Sequence, residues 1–239
     1  MKERSFLRKI LFYISSPKCI CCDMPLSIND YAFCPECYAE FEKNLTRNCS
    51  FCAKELSSCD CPTEFLSAHF VGKLYKSFRY SFTNEDKTVP SLIYTLKRRS
   101  RWDVTEFALD LLEKSLKSSG EDFSDFIFTY VPRRKNAVLK YGVDQSANLA
   151  KGIAKRLGAK YMPILYSKAK KEQKQLTREE RLANAKFYIK RKVNPKTNKV
   201  VIVDDIVTTG ASLGTASALI RSLGIKNIRG LVLAIAYPD

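Results

Sequence analysis

Val200-Val201-Ile202-Val203-Asp204-Asp205-Ile206-Val207-Thr208-Thr209-Gly210-Ala211-Ser212 reads as a strand that runs straight into a ligand-binding turn. Four consecutive β-branched residues, Val200 to Val203, suit a parallel strand buried on both faces. Asp204 and Asp205 then emerge at the strand's C-terminal end, where ligands bind in open α/β sheets. Adjacent carboxylates suit a vicinal diol, each accepting from a ribose hydroxyl or holding it through Mg²⁺. Thr208, Thr209, Gly210, Ala211 and Ser212 add hydroxyls, a flexible glycine and free backbone N–H groups for a phosphate dianion at a helix start. The segment is therefore expected to hold both ends of a ribose 5-phosphate. The plainer alternative, a tight turn whose Asp and Thr residues only cap the next helix, would suit a bare DD or TG better than the whole string.

Working outward, Ser212 to Leu223 has helical spacing closed by Gly224, and Ile228 to Ala236 is again strand-like, which completes a βαβ unit. Upstream, Asp125 to Val131 is a short aromatic and β-branched strand stopped by Pro132. Asp144 to Leu157 is a helix with an N-cap candidate and Gly158 at its end. Val89 to Lys117 predicts two helices, interrupted near Arg98 to Trp102. Thr177 and Glu180 form a capping-box pattern, Phe187 to Val193 suits a strand, and Ser167 to Leu176 reads as a mobile loop. Alternating strands and helices predict an α/β fold: a mostly parallel sheet covered by helices on both faces.

All nine cysteines lie between Cys19 and Cys61. Cys19-x2-Cys22 and Cys34-x2-Cys37 form two knuckles that can present four thiolates to one tetrahedral Zn²⁺. Cys49-x2-Cys52 with Cys59-x-Cys61 can make a second site, and pairing across the two sets also fits the spacing. One or two structural zinc ions follow, with Cys21 left over and His69, the only histidine, outside the array. A redox role would normally need one such pair beside a βαβ unit rather than several in series. The organisation expected is an amphipathic basic helix over residues 1–16, a zinc-ribbon-like module over 17–62 and an α/β domain over 63–239. No apolar stretch is long enough for a transmembrane segment and no signal-cleavage pattern is present, so a cytoplasmic protein is expected. The N-terminal helix could place it peripherally at the inner face of the cytoplasmic membrane or dock it on a partner.

The strand-and-turn segment resembles the phosphoribosyl pyrophosphate (PRPP) signature of type I phosphoribosyltransferases, and the cysteine module makes the chain similar to the ComF family. Further similar marks are Leu96-Lys97, Val131-Pro132, Gly142 with Gln145, Gln175-Leu176, and Arg181 with Asn184. The resemblance implies a type I phosphoribosyltransferase fold preceded by a zinc module, and a competence-associated role in handling incoming single-stranded DNA. It also implies PRPP and Mg²⁺ as ligands, Val131-Pro132 opening the pyrophosphate loop, and Lys97 beside it. Tyr141 and Asp144 depart from the family pattern, which commonly has an arginine and an asparagine near Gly142.

The charge is localised. Residues 133–199 hold 20 Lys and Arg against 4 Asp and Glu, which accounts for the entire net charge of +16. Such a field suits a polyanionic partner. Single-stranded DNA fits, with Tyr130, Tyr141, Tyr161, Tyr166 and Tyr188 as candidate stacking faces. The rival reading is a phosphoribosyltransferase of a small-molecule acceptor, in which Lys97, Arg133, Arg134 and the Lys168 to Lys174 loop neutralise departing pyrophosphate and Asp204 and Asp205 serve catalysis. Purine-type members usually carry a carboxylate where Thr208 stands, so no acid or base is built in here. A third reading is a zinc-stabilised scaffold that docks on a DNA-translocation helicase or membrane channel.

Overall fold

Apolar residues set the secondary structure, and the computed structural model describes residues 14, 17–80, 86–99, 101–167, 187–190 and 197–236 of the 239-residue chain. Helix α1 spans Pro35–Leu45, a 3₁₀ turn spans Leu56–Ser58, and α2 spans Glu64–Ala68. Strand β1 (Lys73–Arg79), α3 (Thr88–Arg98) and α4 (Trp102–Lys117) follow. Then come β2 (Ile127–Tyr130), α5 (Lys135–Tyr141), α6 (Gln145–Arg156), β3 (Lys160–Tyr161), β4 (Leu165–Ser167) and β5 (Phe187–Ile189). The chain closes with β6 (Lys199–Val207), α7 (Ala211–Arg221) and β7 (Asn227–Ile235).

Five strands form one parallel sheet in the order β1-β7-β6-β2-β3, with β4 and β5 making a separate antiparallel pair. Period-two alternation divides the sheet's side chains between two cores. Val201, Val203, Leu231 and Phe128 face α3, α4 and α6, whereas Val200, Ile202, Ile127 and Val232 face α2 and α7. The expected architecture of a parallel sheet with helices on both faces is thus the observed one.

The cysteine-rich segment does not stand apart from that architecture. Phe33 and Phe41 stack at 5.1 Å, and Phe41 also meets Phe78 of β1 and Phe107 of α4 edge-on. Cys19, Leu26 and Cys34 are buried in the same core. Its apolar content is small, and it completes its burial on the sheet's helical layer.

Three features differ from the sequence expectation. Strand β1 was not foreseen, because Lys76 and Ser77 are buried in it and erase the alternation that marks a half-buried strand. Helix α5 was not foreseen either, since none of its residues is buried. Strand β6 runs on through Val207 rather than stopping at Val203. On its β2 side pairing ends at Tyr130 opposite Val203, but on the β7 side it continues to Val207 opposite Ile235. The helix expected over 1–16 lies outside the described residues apart from Ile14, as do the Ser167–Leu176 loop beyond Ser167, the capping box at Thr177, Gln175-Leu176, Arg181 and Asn184. No helix among the described residues is long and apolar enough to cross a membrane.

Candidate functional site

The half-supported end of β6 creates the site. From β2 the chain leaves toward β3 through α5 and α6, while from β6 it leaves toward β7 through α7, in the opposite direction across the sheet. A crevice opens at such a switch point. It is a cleft of about 470 Å³ lined by Lys97, Val131, Pro132, Arg133, Arg134, Gln145, Ser146, Ser167, Phe187, Asp204, Asp205, Thr208, Thr209, Ala211 and Ser212. That size suits a small phosphorylated ligand.

Both acids of the pair reach it. Asp204 Oδ1 accepts from Ser146 Oγ at 3.0 Å and from the Asp205 N–H at 2.9 Å. Asp205 is 4% exposed, and its Oδ2 accepts from Gln145 Nε2 at 2.7 Å with Lys97 Nζ 3.3 Å away. Each carboxylate therefore keeps one oxygen without a protein partner among the described residues. Burial, reinforced by the neighbouring Asp205 carboxylate, pushes Asp204 up to about 8 despite the Asp205 N–H, Ser146 and Lys97 pulling the other way. A cation at this end of the cleft would favour the charged form.

Thr208, Thr209 and Ser212 are exposed in the cleft, and the turn makes little use of its own polar groups. Ala211 N–H donates to Thr209 Oγ1 at 3.3 Å, while Gly210, the N-cap of α7, has no side-chain cap. Gly210 sits at φ +79°, with Phe65 and Leu66 packed 3.1–3.2 Å from where a Cβ would be. The glycine thus lets the backbone turn tightly over α2, and past Ala211 the first turn of α7 has N–H groups with no intrahelical acceptor, a position suited to an anion.

Across the cleft, Arg133 and Arg134 follow Val131-Pro132. The Arg133 N–H donates to Asp144 Oδ2 at 3.0 Å and its guanidinium to the Lys97 carbonyl at 2.7 Å. Asp144, where the sequence departs from the family pattern, also caps α6 by accepting from Ala147 N–H at 3.3 Å. Burial raises its pKa, with the Arg133 and Ala147 N–H groups opposing. The sequence offers Gln145 only as a family mark and does not single out Ser146. Their contacts with the acid pair span some 60 residues of chain, a separation over which no local sequence pattern reports.

The cysteines gather into two groups, Cys19/Cys22/Cys34/Cys37 and Cys49/Cys52/Cys59/Cys61, with all sulfurs of a group within 4.8 Å of one another. Each group is thus built from neighbouring pairs, not from cross-pairing of the two sets. Cys22 and Cys34 sulfurs lie 3.6 Å apart and Cys52 and Cys59 sulfurs 3.5 Å apart. Four sulfurs about 2.3 Å from a shared zinc would be roughly 3.8 Å apart, whereas a disulfide needs about 2.0 Å. Either group could hold a metal ion. Backbone N–H groups of Cys21 and Cys61 point at Cys19 and Cys59 sulfurs at 3.5 and 3.4 Å. Lys76, fully buried on β1, donates to Cys59 Sγ at 3.1 Å and to the carbonyls of Cys61 and Leu74 at 2.9 and 3.3 Å. Cys21 belongs to neither group, and His69 stacks on Phe65 with its Nδ1 2.8 Å from the Phe65 carbonyl.

Of the tyrosines, Tyr130 and Tyr161 stack on each other at 6.3 Å against the core, and Tyr166 and Tyr188 pair at 5.5 Å across β4 and β5. Tyr141 instead lies among cations.

Residues 143–237, a span that holds α6 through β7, match the phosphoribosyl transferase domain family. Over 205 residues the chain is 23% identical to "Competence protein ComFC" of Streptococcus pneumoniae (strain ATCC BAA-255 / R6), an alignment covering 84% of this chain and 86% of the relative.

Proposed function

Since this is a ComF-family phosphoribosyltransferase-like protein, we propose that it serves competence by binding single-stranded DNA, on a fold that binds PRPP with Mg²⁺ in the β6–β2 cleft. The observation that carries the ligand reading is the convergence of the acid pair and the open N-terminus of α7 on one cleft. Asp204 and Asp205 would hold ribose hydroxyls and, through their free oxygens, Mg²⁺. Thr208 to Ser212 would hold the 5-phosphate, with Val131, Pro132 and Lys97 at the pyrophosphate end. When bound, Mg²⁺ neutralises pyrophosphate charge.

The DNA reading draws on the relative's role and on the position of the charge. Ser167 and Phe187, which flank the Lys-rich segment 168–186, both line the cleft. Zinc fits both cysteine groups, with all four positions taken by thiolates and therefore a structural role. The chain would work at the cytoplasmic side of the membrane.

Calorimetry tests the cleft: Mg²⁺-dependent PRPP binding that is lost in Asp204→Ala and Asp205→Ala supports the proposal, and no binding by the wild type sinks it. Single-stranded DNA should bind without sequence preference and weaken steeply with salt. Salt-independent affinity, or affinity that survives charge reversal between Lys168 and Lys192, sinks the DNA reading. A phosphoribosyltransferase acting on a small acceptor remains the second reading, favoured by the intact acid pair, and a screen of nitrogenous acceptors for pyrophosphate release discriminates it.

A further inference from the structure

We infer that single-stranded DNA is contacted by a cluster of rings and guanidinium groups, Tyr94, Arg98, Tyr141 and Arg133, on the rim of the cleft. The inference rests on the DNA reading above and locates it. Tyr94 and Arg98 stand four residues apart on the outward face of α3, whose Val89, Leu92 and Leu96 are turned into the core. Arg98 lies 4.7 Å from the Tyr94 ring centre and 5.3 Å from that of Tyr141, and Arg133 lies 5.1 Å from Tyr141. The Arg133 bond to the Lys97 carbonyl fixes that guanidinium to the C-terminal end of α3.

Two guanidinium groups thus share one tyrosine. Among the described residues neither has a carboxylate within ion-pair distance, and Lys140 adds a third cation 5.5 Å from the same ring. Like charges gathered around one ring repel, and a phosphodiester bound beside them relieves the repulsion while gaining charge-assisted hydrogen bonds from planar donors. Helix α5, which buries none of its residues, meets Arg98 of α3 at Tyr141 and keeps Leu139 73% exposed. Tyr94 is 49% exposed. Unpaired bases have free faces to lay against these groups, whereas a duplex has buried its own. Tyr94, Arg98 and Tyr141 lie outside the cleft lining and Arg133 belongs to it, so the strand would pass beside the PRPP pocket rather than fill it.

The test is fluorescence anisotropy with a labelled oligothymidine strand and with a duplex of the same length. Tyr94→Ala and Arg98→Ala should each weaken strand binding about tenfold or more, and together by less than the product because the two side chains touch. Arg98→Lys, which keeps charge and loses the plane, should fall between Arg98→Ala and wild type. Arg221→Ala, which removes a guanidinium stacked 4.5 Å over Phe70 elsewhere, should change affinity less than twofold. Thermal melting confirms that each variant is folded. If folded Tyr94 and Arg98 variants behave like Arg221→Ala, or if wild type binds duplex as tightly as single strand, this surface is not the contact. A wild type that binds no strand at all overturns the DNA reading itself, and this inference with it.

Discussion

The ammonium of Lys76 donates to the Cys59 sulfur at 3.1 Å inside a fully buried environment, with no carboxylate in ion-pair reach among the described residues. A buried ammonium is costly unless an anion compensates it. The anion available is the cysteine group itself, which carries two net negative charges when four thiolates bind a divalent metal. With such a metal bound, Lys76 would neutralise half of that excess, and its bond to Cys59 ties the group to strand β1.

Replacing Lys76 by methionine keeps the length of the side chain and removes the charge. Metal affinity at Cys49/Cys52/Cys59/Cys61 should drop by about 10- to 100-fold, while the Cys19 group keeps its affinity. Chelator competition with zinc counting should show one ion released early and one retained. Two ions held as in wild type would mean that Lys76 does not support the metal.

Gly210→Ala places a methyl against Phe65 and Leu66 and forces a left-handed backbone on an L-residue. Urea denaturation should register a loss of about 1–2 kcal/mol. PRPP binding should fall further than stability, because the turn that presents the N–H groups moves.

Burial beside Asp205 makes Asp204 a link between pH and the stability of this cleft. Its folded pKa, up to about 8, lies above the unfolded value, so its contribution to stability is fully present below about pH 4 and is lost as pH rises through 8. The groups around it are Asp205, Ser146 and Lys97. Asp204→Asn should therefore melt higher than wild type at pH 8.5, with the advantage shrinking as pH falls toward 5. Parallel pH profiles for the two proteins would show that Asp204 does not titrate in this range.

Gln145→Leu takes a 2.7 Å donor from the buried Asp205 carboxylate and leaves Lys97 alone beside it. The cost should be about 1–2 kcal/mol, at the lower end because Gln145 Oε1 is itself buried without a partner among the described residues. Equilibrium unfolding measures it. A neutral result would assign the holding of Asp205 to Lys97.

Much of this was legible in order along the chain. The β-branched run at Val200 to Val203 announces a central strand because both its faces must be apolar, and Gly158 and Gly224 end helices at positive φ. The spacing of Cys19, Cys22, Cys34 and Cys37 sets out one knuckle pair, although only the folded chain shows that each group stays within its own set. What escaped was determined by distant partners. Lys76 makes β1 look like a surface segment, since a lysine is buried only when something elsewhere neutralises it. Tyr141 is among the stacking candidates named from the sequence, but that Arg98 of α3 and Arg133 after β2 gather on it could not be read from local pattern.

Strand β1 lies at an edge of the sheet, and its partner β7 begins only at Asn227. On a ribosome, the segment carrying Lys76 is synthesised early and must wait for nearly all of the remaining chain before it can be paired. During that wait an unpaired, partly apolar edge is open to other nascent chains. Truncation before Asn227 should leave that edge permanently exposed and the product prone to aggregate.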